Sequence, residues 1–283
     1  MTTTAPASAI APLPAPAPLI EPASAVAPAR APTPLAELSY FFPAHNEEGN
    51  LEALVADALV ALPALASRFE IIIVNDGSRD RTGTLADALA GAHPEAVRVI
   101  HHPTNLGYGA ALRSGFRVAR FEYVGFTDGD RQFAVSDLGR LTARIAEADR
   151  PDVVAGFRIQ RADPLIRTLY ARSYRLANRI LFGLRVTDVD CACKLFRRDS
   201  LRGLRVESGG AFFSAELLIK LAAAGRSVVQ VGVPHYPRTI GTPTGARPAV
   251  ILRAVRDFWN LRLRMWANPG VALGRGEPIL GDD

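Results

Sequence analysis

The chain has 283 residues, 48% of them hydrophobic, enough for one large domain or two small ones around a sizeable core. It carries 33 Lys and Arg against 28 Asp and Glu, a net charge of +5, but lysine occurs only at Lys194 and Lys220. That arginine excess, with abundant Ala and Pro, reads as compositional bias, so no nucleic acid partner is expected, and no run of about 18 apolar residues predicts a spanning helix.

Residues 1–36 are dominated by Ala and Pro and predict a disordered, partly extended tail. The N-terminus lacks the basic flank and compact apolar block of a secretory signal. From Leu38 strands and helices alternate. Strands are expected at Leu38–Phe42, Phe69–Val74, Val97–His101, Glu122–Phe126 and Asp152–Ala155. Helices are expected at Asn50–Leu62, Arg81–Ala90, Tyr108–Ala119 and Val135–Ala148. The continuous run Phe69-Glu-Ile-Ile-Ile-Val74 suits a strand buried on both faces. The order predicts an α/β fold, Rossmann-like, with a mostly parallel sheet and helices on both faces, and places ligands at the carboxyl ends of the strands.

The second half is less regular. A helix is expected at Pro164–Phe182, a short strand from Lys194, a helix at Ala215–Ala224 and a strand at Val228–Val233. Tyr236–Arg247 reads as a Pro/Gly/Thr loop. The two cysteines, Cys191 and Cys193, are too close for a disulfide and too few for a zinc site. They read as semi-buried packing residues in a reducing compartment. From Pro248 to Trp266, Leu252, Val255, Trp259, Leu263 and Trp266 form an apolar stripe, with Arg253, Arg256, Asn260 and Arg264 on a second one. Residues 248–267 therefore read as a basic amphipathic helix, suited either to a membrane surface or to packing on the domain. Residues 268–283 read as an irregular tail.

Each of the first four strands ends in a polar cluster. These are Pro43-Ala-His-Asn-Glu-Glu48, Asn75-Asp-Gly-Ser-Arg-Asp-Arg-Thr82, Asn105-Leu-Gly-Tyr-Gly109 and Thr127-Asp-Gly-Asp-Arg-Gln132. Two carboxylates one residue apart, Asp128 and Asp130, repel unless a cation lies between them, and hard divalent cations take carboxylate oxygens. The Gly107-Tyr-Gly109 segment follows the third strand and has Leu112 where a dinucleotide fingerprint has its third glycine, which excludes a nicotinamide site. No P-loop is present.

These motifs, in this order, resemble the family-2 glycosyltransferases of the GT-A fold, and within them the dolichyl- or polyprenyl-phosphate sugar synthases. The resemblance covers about residues 38–265 and implies a glycosyltransferase domain over 37–247. It implies an inverting, metal-dependent transfer of a sugar from a nucleotide-sugar, GDP-mannose or a UDP-sugar, to a polyprenyl phosphate, in the building of cell-envelope glycans. By position, Pro43, Ala44, Asn46, Glu47, Asp76, Gly107 and Asp128 would hold the nucleotide. Asp128 and Asp130, completed by Gln132, would hold Mg²⁺ or Mn²⁺. Arg158, Arg167 and Arg238 would position the acceptor phosphate, which is already anionic and needs no base. The enzyme would be cytoplasmic and peripheral on the inner face of the cell membrane, attached through the C-terminal helix, with room for a membrane-protein partner.

Two departures bear on the acceptor. The segment Asp188-Val-Asp190-Cys-Ala-Cys-Lys194 has Ala192 where relatives often have glycine, and Thr239–Gly245 lacks their usual Gly-x-Ser-Lys. Transfer to a hydroxyl of a glycan or lipid is the alternative, with Glu216 or Asp190 as base. A non-catalytic nucleotide-sugar-binding protein is a second alternative. A nucleotidyltransferase lacks support, because no glycine-rich basic loop grips a triphosphate.

Overall fold

The computed structural model describes residues 33–159, 165–238, 240 and 248–281, and of residues 165–171, 269 and 271–272 the backbone only. The expected tail and most of the Tyr236–Arg247 loop lie outside the described residues. The first half contains β1 (Leu35–Ala44), α1 (Leu51–Leu65), β2 (Ala66–Asn75), α2 (Thr82–Ala92), β3 (Val97–His101), α3 (Tyr108–Val118), β4 (Tyr123–Phe126), a 3₁₀ turn (Val135–Asp137), α4 (Leu138–Ile145) and β5 (Val153–Arg158). The second half contains α5 (Leu165–Phe182), β6 (Lys194–Arg197), β7 (Arg205–Val206), α6 (Phe213–Ala223), β8 (Val228–Val233), α7 (Pro248–Ala267), α8 (Pro269–Gly274) and β9 (Glu277–Pro278).

Seven strands form one sheet in the order β3-β2-β1-β4-β6-β5-β8. All neighbours run parallel except β6, which is antiparallel to both β4 and β5. The sheet is therefore mixed, with the expected parallel half at β3-β2-β1-β4. Ile71, Ile72, Ile73 and Val74 of β2 are buried on both faces. The register Phe42↔Ile73 and Ala44↔Asn75 brings β1 and β2 to an end together. Their polar termini thus meet beside the turn after β4.

Packing of α3 on β1 fixes that edge. Phe41, Phe116, Phe126 and Phe196 interlock at centroid distances from 4.9 to 6.2 Å, joining β1, α3, β4 and β6. Gly115 makes room for it: a Cβ there would lie 2.2 Å from the Phe41 ring.

The segment expected to be irregular after residue 268 contains α8 and β9. β9 pairs antiparallel with β7, and Ile279 and Leu280 are buried. The buried Lys220 ammonium holds this corner by donating to the carbonyls of Arg205 at 2.8 Å and Arg275 at 2.9 Å. Two-residue strands carry too little periodicity to be read from sequence.

On α7, Phe258 and Leu261 are the buried positions. The apolar stripe is only partly spent on packing: the Trp259 ring lies 5.6 Å from Phe258, but Leu252, Val255, Trp259, Leu263 and Trp266 are all exposed, Trp266 at 77%. No helix among the described residues is long and apolar enough to cross a membrane.

Candidate functional site: a carboxylate cluster at the strand ends

The loops after β1 and β2 are stitched together. Asn46 adopts a φ of 57°, donates its backbone N–H to Ser78 Oγ at 3.0 Å and accepts the Arg79 N–H at 2.9 Å. Glu47 donates its N–H to Thr82 Oγ1 at 2.9 Å, and its carboxylate accepts from Asn50 Nδ2 at 2.6 Å. Burial raises the Glu47 carboxyl above its ordinary value, and the Asp130 charge adds to this against the Asn50 and Arg238 contacts. Pro43 and Ala44 close β1, with the Ala44 carbonyl accepting the Asp76 N–H at 2.9 Å.

Asp76 faces the next loop rather than open solvent. One carboxylate oxygen accepts from His102 Nδ1 at 2.7 Å and the Leu106 N–H at 2.9 Å, the other the Gly107 N–H at 3.0 Å. Its position secures the β3–α3 loop. Gly107 has a φ of 99°, open to glycine but strained for other residues, and it admits the chain into α3.

The acidic pair lies just past β4. Thr127 Oγ1 is 2.6 Å from the Tyr40 hydroxyl, and a Cβ on Gly129 would come within 2.6 Å of the Pro43 carbonyl, so the turn sits against the end of β1. Asp128 accepts the Tyr108 hydroxyl at 2.9 Å. Burial, with the neighbouring Asp130 charge, pushes the Asp128 carboxyl well above the usual range. Asp130 is buried; one oxygen takes the Gln132 N–H at 3.1 Å and the other the Arg238 guanidinium. Arg238 also comes within 3.6 Å of Glu47.

Arg238 reaches this point because its segment is pinned. The Tyr236 N–H donates to the Gln132 carbonyl at 2.9 Å, and the Gln132 side-chain amide donates back to the Tyr236 carbonyl at 3.3 Å. Gln132 thus faces the 234–238 segment. The structure brings Glu47, Asp128, Asp130, Gln132 and Arg238 together at one edge. Arg158, at the end of β5, instead makes a two-pronged pair with Asp188, at 2.6 and 2.8 Å. Arg167 lies on α5, and its side chain is outside the described residues.

Glu216, the carboxylate considered as a base, is buried. Its oxygens accept the N–H groups of Glu207 and Ser208, both at 2.8 Å, and the Lys220 ammonium at 2.9 Å. It has the setting of a structural carboxylate that shapes the turn before α6. Asp190 is exposed.

Sequence reasoning gave no role to Tyr108, to Asp188 as the partner of Arg158, or to Lys194. Lys194 is fully buried and donates to the carbonyls of Val189 at 3.0 Å and Cys191, so it organises the 188–193 loop. Burial lowers its pKa. A lysine opening a short strand through Leu195 and Phe196 was the available signal. Cys191 and Cys193 are fully buried, beyond the semi-buried packing expected of them.

The donor set suits a hard divalent cation. Asp128 and Asp130 offer carboxylate oxygens, and Arg238 already lies against one of them as a positive counter-charge. Among the described residues no group of three His, Cys, Asp or Glu side chains forms a closed cage. Magnesium is commonly held by one or two carboxylates, with its remaining positions left to phosphate oxygens and water.

The chain is 32% identical over 206 residues to the undecaprenyl-phosphate 4-deoxy-4-formamido-L-arabinose transferase of Pseudomonas aeruginosa, covering 72% of this chain and 59% of that protein. It therefore spans less than two thirds of that relative's length. It is 29% identical over 242 residues to the polyprenol monophosphomannose synthase of Mycolicibacterium smegmatis, covering 81% of this chain and 89% of the relative. In fold it is similar to glucosyl-3-phosphoglycerate synthase from Mycobacterium tuberculosis, solved with Mn²⁺, UDP-glucose and phosphoglyceric acid. The TM-score is 0.62 at 20% identity, over 80% of this chain and 79% of that one. The model of glycosyl transferase family 2 matches residues 39–205, which takes in the four strand-end motifs and the antiparallel β6, and the chain belongs to that family.

Proposed function

We propose that the protein transfers one sugar from a nucleoside-diphosphate sugar to a polyprenyl phosphate, with inversion at the anomeric carbon. One observation carries the reading: Arg238, a candidate for the acceptor phosphate, is paired with Asp130 and lies beside Glu47, both candidates for the donor. Candidate donor-side and acceptor-side residues thus lie together. The relatives named for polyprenyl-phosphate products support the acceptor class.

Pro43, Ala44, Asn46, Glu47 and the loop secured by Asp76 and Gly107 hold the nucleotide. Asp128 and Asp130, with Gln132 next to them, hold Mg²⁺ or Mn²⁺. When bound, such an ion supplies Lewis-acid stabilisation of the charge that builds on the departing diphosphate. Arg238, Arg158 and Arg167 orient the acceptor phosphate. A phosphate oxygen attacks the anomeric carbon, a new carbon–oxygen bond forms, the bond to the diphosphate breaks, and the nucleoside diphosphate leaves with the electron pair. No proton need be removed from the nucleophile. Confinement of Glu216 by two backbone N–H groups and Lys220 supports the phosphate over the hydroxyl acceptor.

The exposed stripe of α7, flanked by arginines, supports attachment to a surface of anionic lipid where the acceptor resides. The test is incubation with radiolabelled UDP- and GDP-sugars and polyprenyl phosphate, followed by lipid extraction. Label is expected in the lipid phase with one donor class, and Asp130→Ala is expected to lower the rate by at least about 100-fold. Transfer only to hydroxyl acceptors, or Asp130→Ala with full metal-dependent turnover, overturns the reading.

A further inference from the structure

The motif Asn105-Leu-Gly-Tyr-Gly109 contributes a side chain that neither the nucleotide nor the acceptor uses above. Tyr108 opens α3, and its hydroxyl donates to Asp128 Oδ1 at 2.9 Å. The contact is supported from behind on two sides. Asp76 takes the N–H groups of Leu106 and Gly107, which fixes the residues leading into Tyr108. The Gly109 N–H donates to the Gly209 carbonyl at 3.1 Å, and a Cβ on Gly109 would come within 2.8 Å of Gly209 and 2.9 Å of Phe213. The first turn of α3 therefore sits flush against the 208–213 segment, and the ring has a defined place.

An aspartate rotates easily about its last torsion, which is broad and two-fold. A donor on one oxygen removes that freedom and presents the other. We infer that Tyr108 is a positioning residue that occupies Asp128 Oδ1 and leaves Oδ2 to the divalent cation, so that Asp128 is oriented by the same loop that Asp76 secures. This rests on the metal reading above. Partners of metal-binding side chains typically contribute about 10- to 100-fold in affinity. Loss of the phenol also frees Asp128 to turn toward Arg238, the guanidinium paired with the neighbouring Asp130.

The experiment uses the full chain and its Tyr108→Phe variant, which keeps the ring. Mn²⁺ binding is measured from the free-Mn²⁺ electron paramagnetic resonance signal, with saturating UDP and, separately, GDP. The Mn²⁺ dissociation constant is expected to rise about tenfold in Tyr108→Phe. The melting temperature of the metal-free protein and its metal-free nucleotide affinity are expected to stay unchanged, and turnover to recover at high Mn²⁺. An unchanged Mn²⁺ constant overturns the inference. So does a parallel loss of melting temperature and nucleotide affinity, which marks a purely structural tyrosine. Wild-type protein that binds no Mn²⁺ with either nucleotide overturns the metal reading and the inference with it, whereas wild-type binding with an indifferent Tyr108→Phe removes the inference alone.

Discussion

Glu70 ties three strands together through one buried carboxylate. Ser39 Oγ on β1 donates to it at 2.7 Å, Arg98 on β3 at 2.8 Å, and Arg120 through both its N–H and Nε at 3.0 Å. Burial alone would raise its pKa, but these donors outweigh burial and hold the carboxyl below its ordinary value. A depressed folded-state pKa stabilises the protein above the unfolded value, near 4.3, and that stability is lost as pH falls through the folded one. Glu70→Gln is expected to cost about 3 kcal/mol at neutral pH. It should also flatten the acid limb of a urea-denaturation series, while wild type keeps its slope. Glu216 makes the complementary point about catalysis. Glu216→Gln is expected to lower the midpoint of unfolding, by about 3 kcal/mol in stability, yet leave the shape of the pH–rate profile for transfer unchanged; a lost acid limb would restore it as a base. Its sequence neighbourhood, Phe213-Ser-Ala-Glu216, is that of any first-turn acid. The turn N–H groups and the buried Lys220 that define it are set by the fold, so the residue type was legible and its use was not.

Among the elements, the parallel half was readable because its inner strands are buried on both faces and each polar cluster sits at a strand end. Ile71–Val74 on β2 is the plainest case. Strand β6 was readable as a strand but not in direction. Its antiparallel pairing, with Val124↔Phe196 on one side and Val153↔Phe196 on the other, follows from the path of the chain between β5 and β6. The packing of α3 on β1 shows the same limit at a glycine. Gly115 reads in sequence as a weak helix residue. In the fold it is where the Phe41 ring enters, with the nearest ring carbon 2.2 Å from a notional Cβ. Gly115→Ala must push that ring, and with it the four-phenylalanine cluster. A cost of about 2 kcal/mol is expected despite alanine's better helix propensity, a fall of roughly 4–8 °C in a thermal melt. A neutral or stabilised variant would show that the aromatic cluster yields more easily than native cores do.

At the scale of the whole molecule, α7 and α5 meet through Phe258, whose ring lies 5.1 Å from Phe182 and 6.2 Å from Tyr174. That contact, with Leu261, accounts for the buried side of α7. Leu252, Val255, Trp259, Leu263 and Trp266 are left exposed, and α5 exposes Leu176 and Ile180 as well. The sequence showed the stripe but could not say which way it faced, because a packed helix and a surface-bound helix share the same periodicity. Exposure of two tryptophans among arginines favours the bilayer interface, where an amphipathic ring gains and an arginine meets anionic headgroups. Replacing Trp259 and Trp266 with serine removes apolar area that lies mostly outside the core. The double variant is therefore expected to melt with wild type, to lose about tenfold or more in affinity for vesicles containing anionic lipid, and to keep its rate on a short-chain, water-soluble prenyl phosphate. Its rate on long-chain acceptor in vesicles should fall, because a membrane-bound enzyme meets its lipid substrate at surface concentration and a free one does not. A double variant that binds vesicles as wild type does, or that loses its melting temperature, would return the stripe to an ordinary packing role.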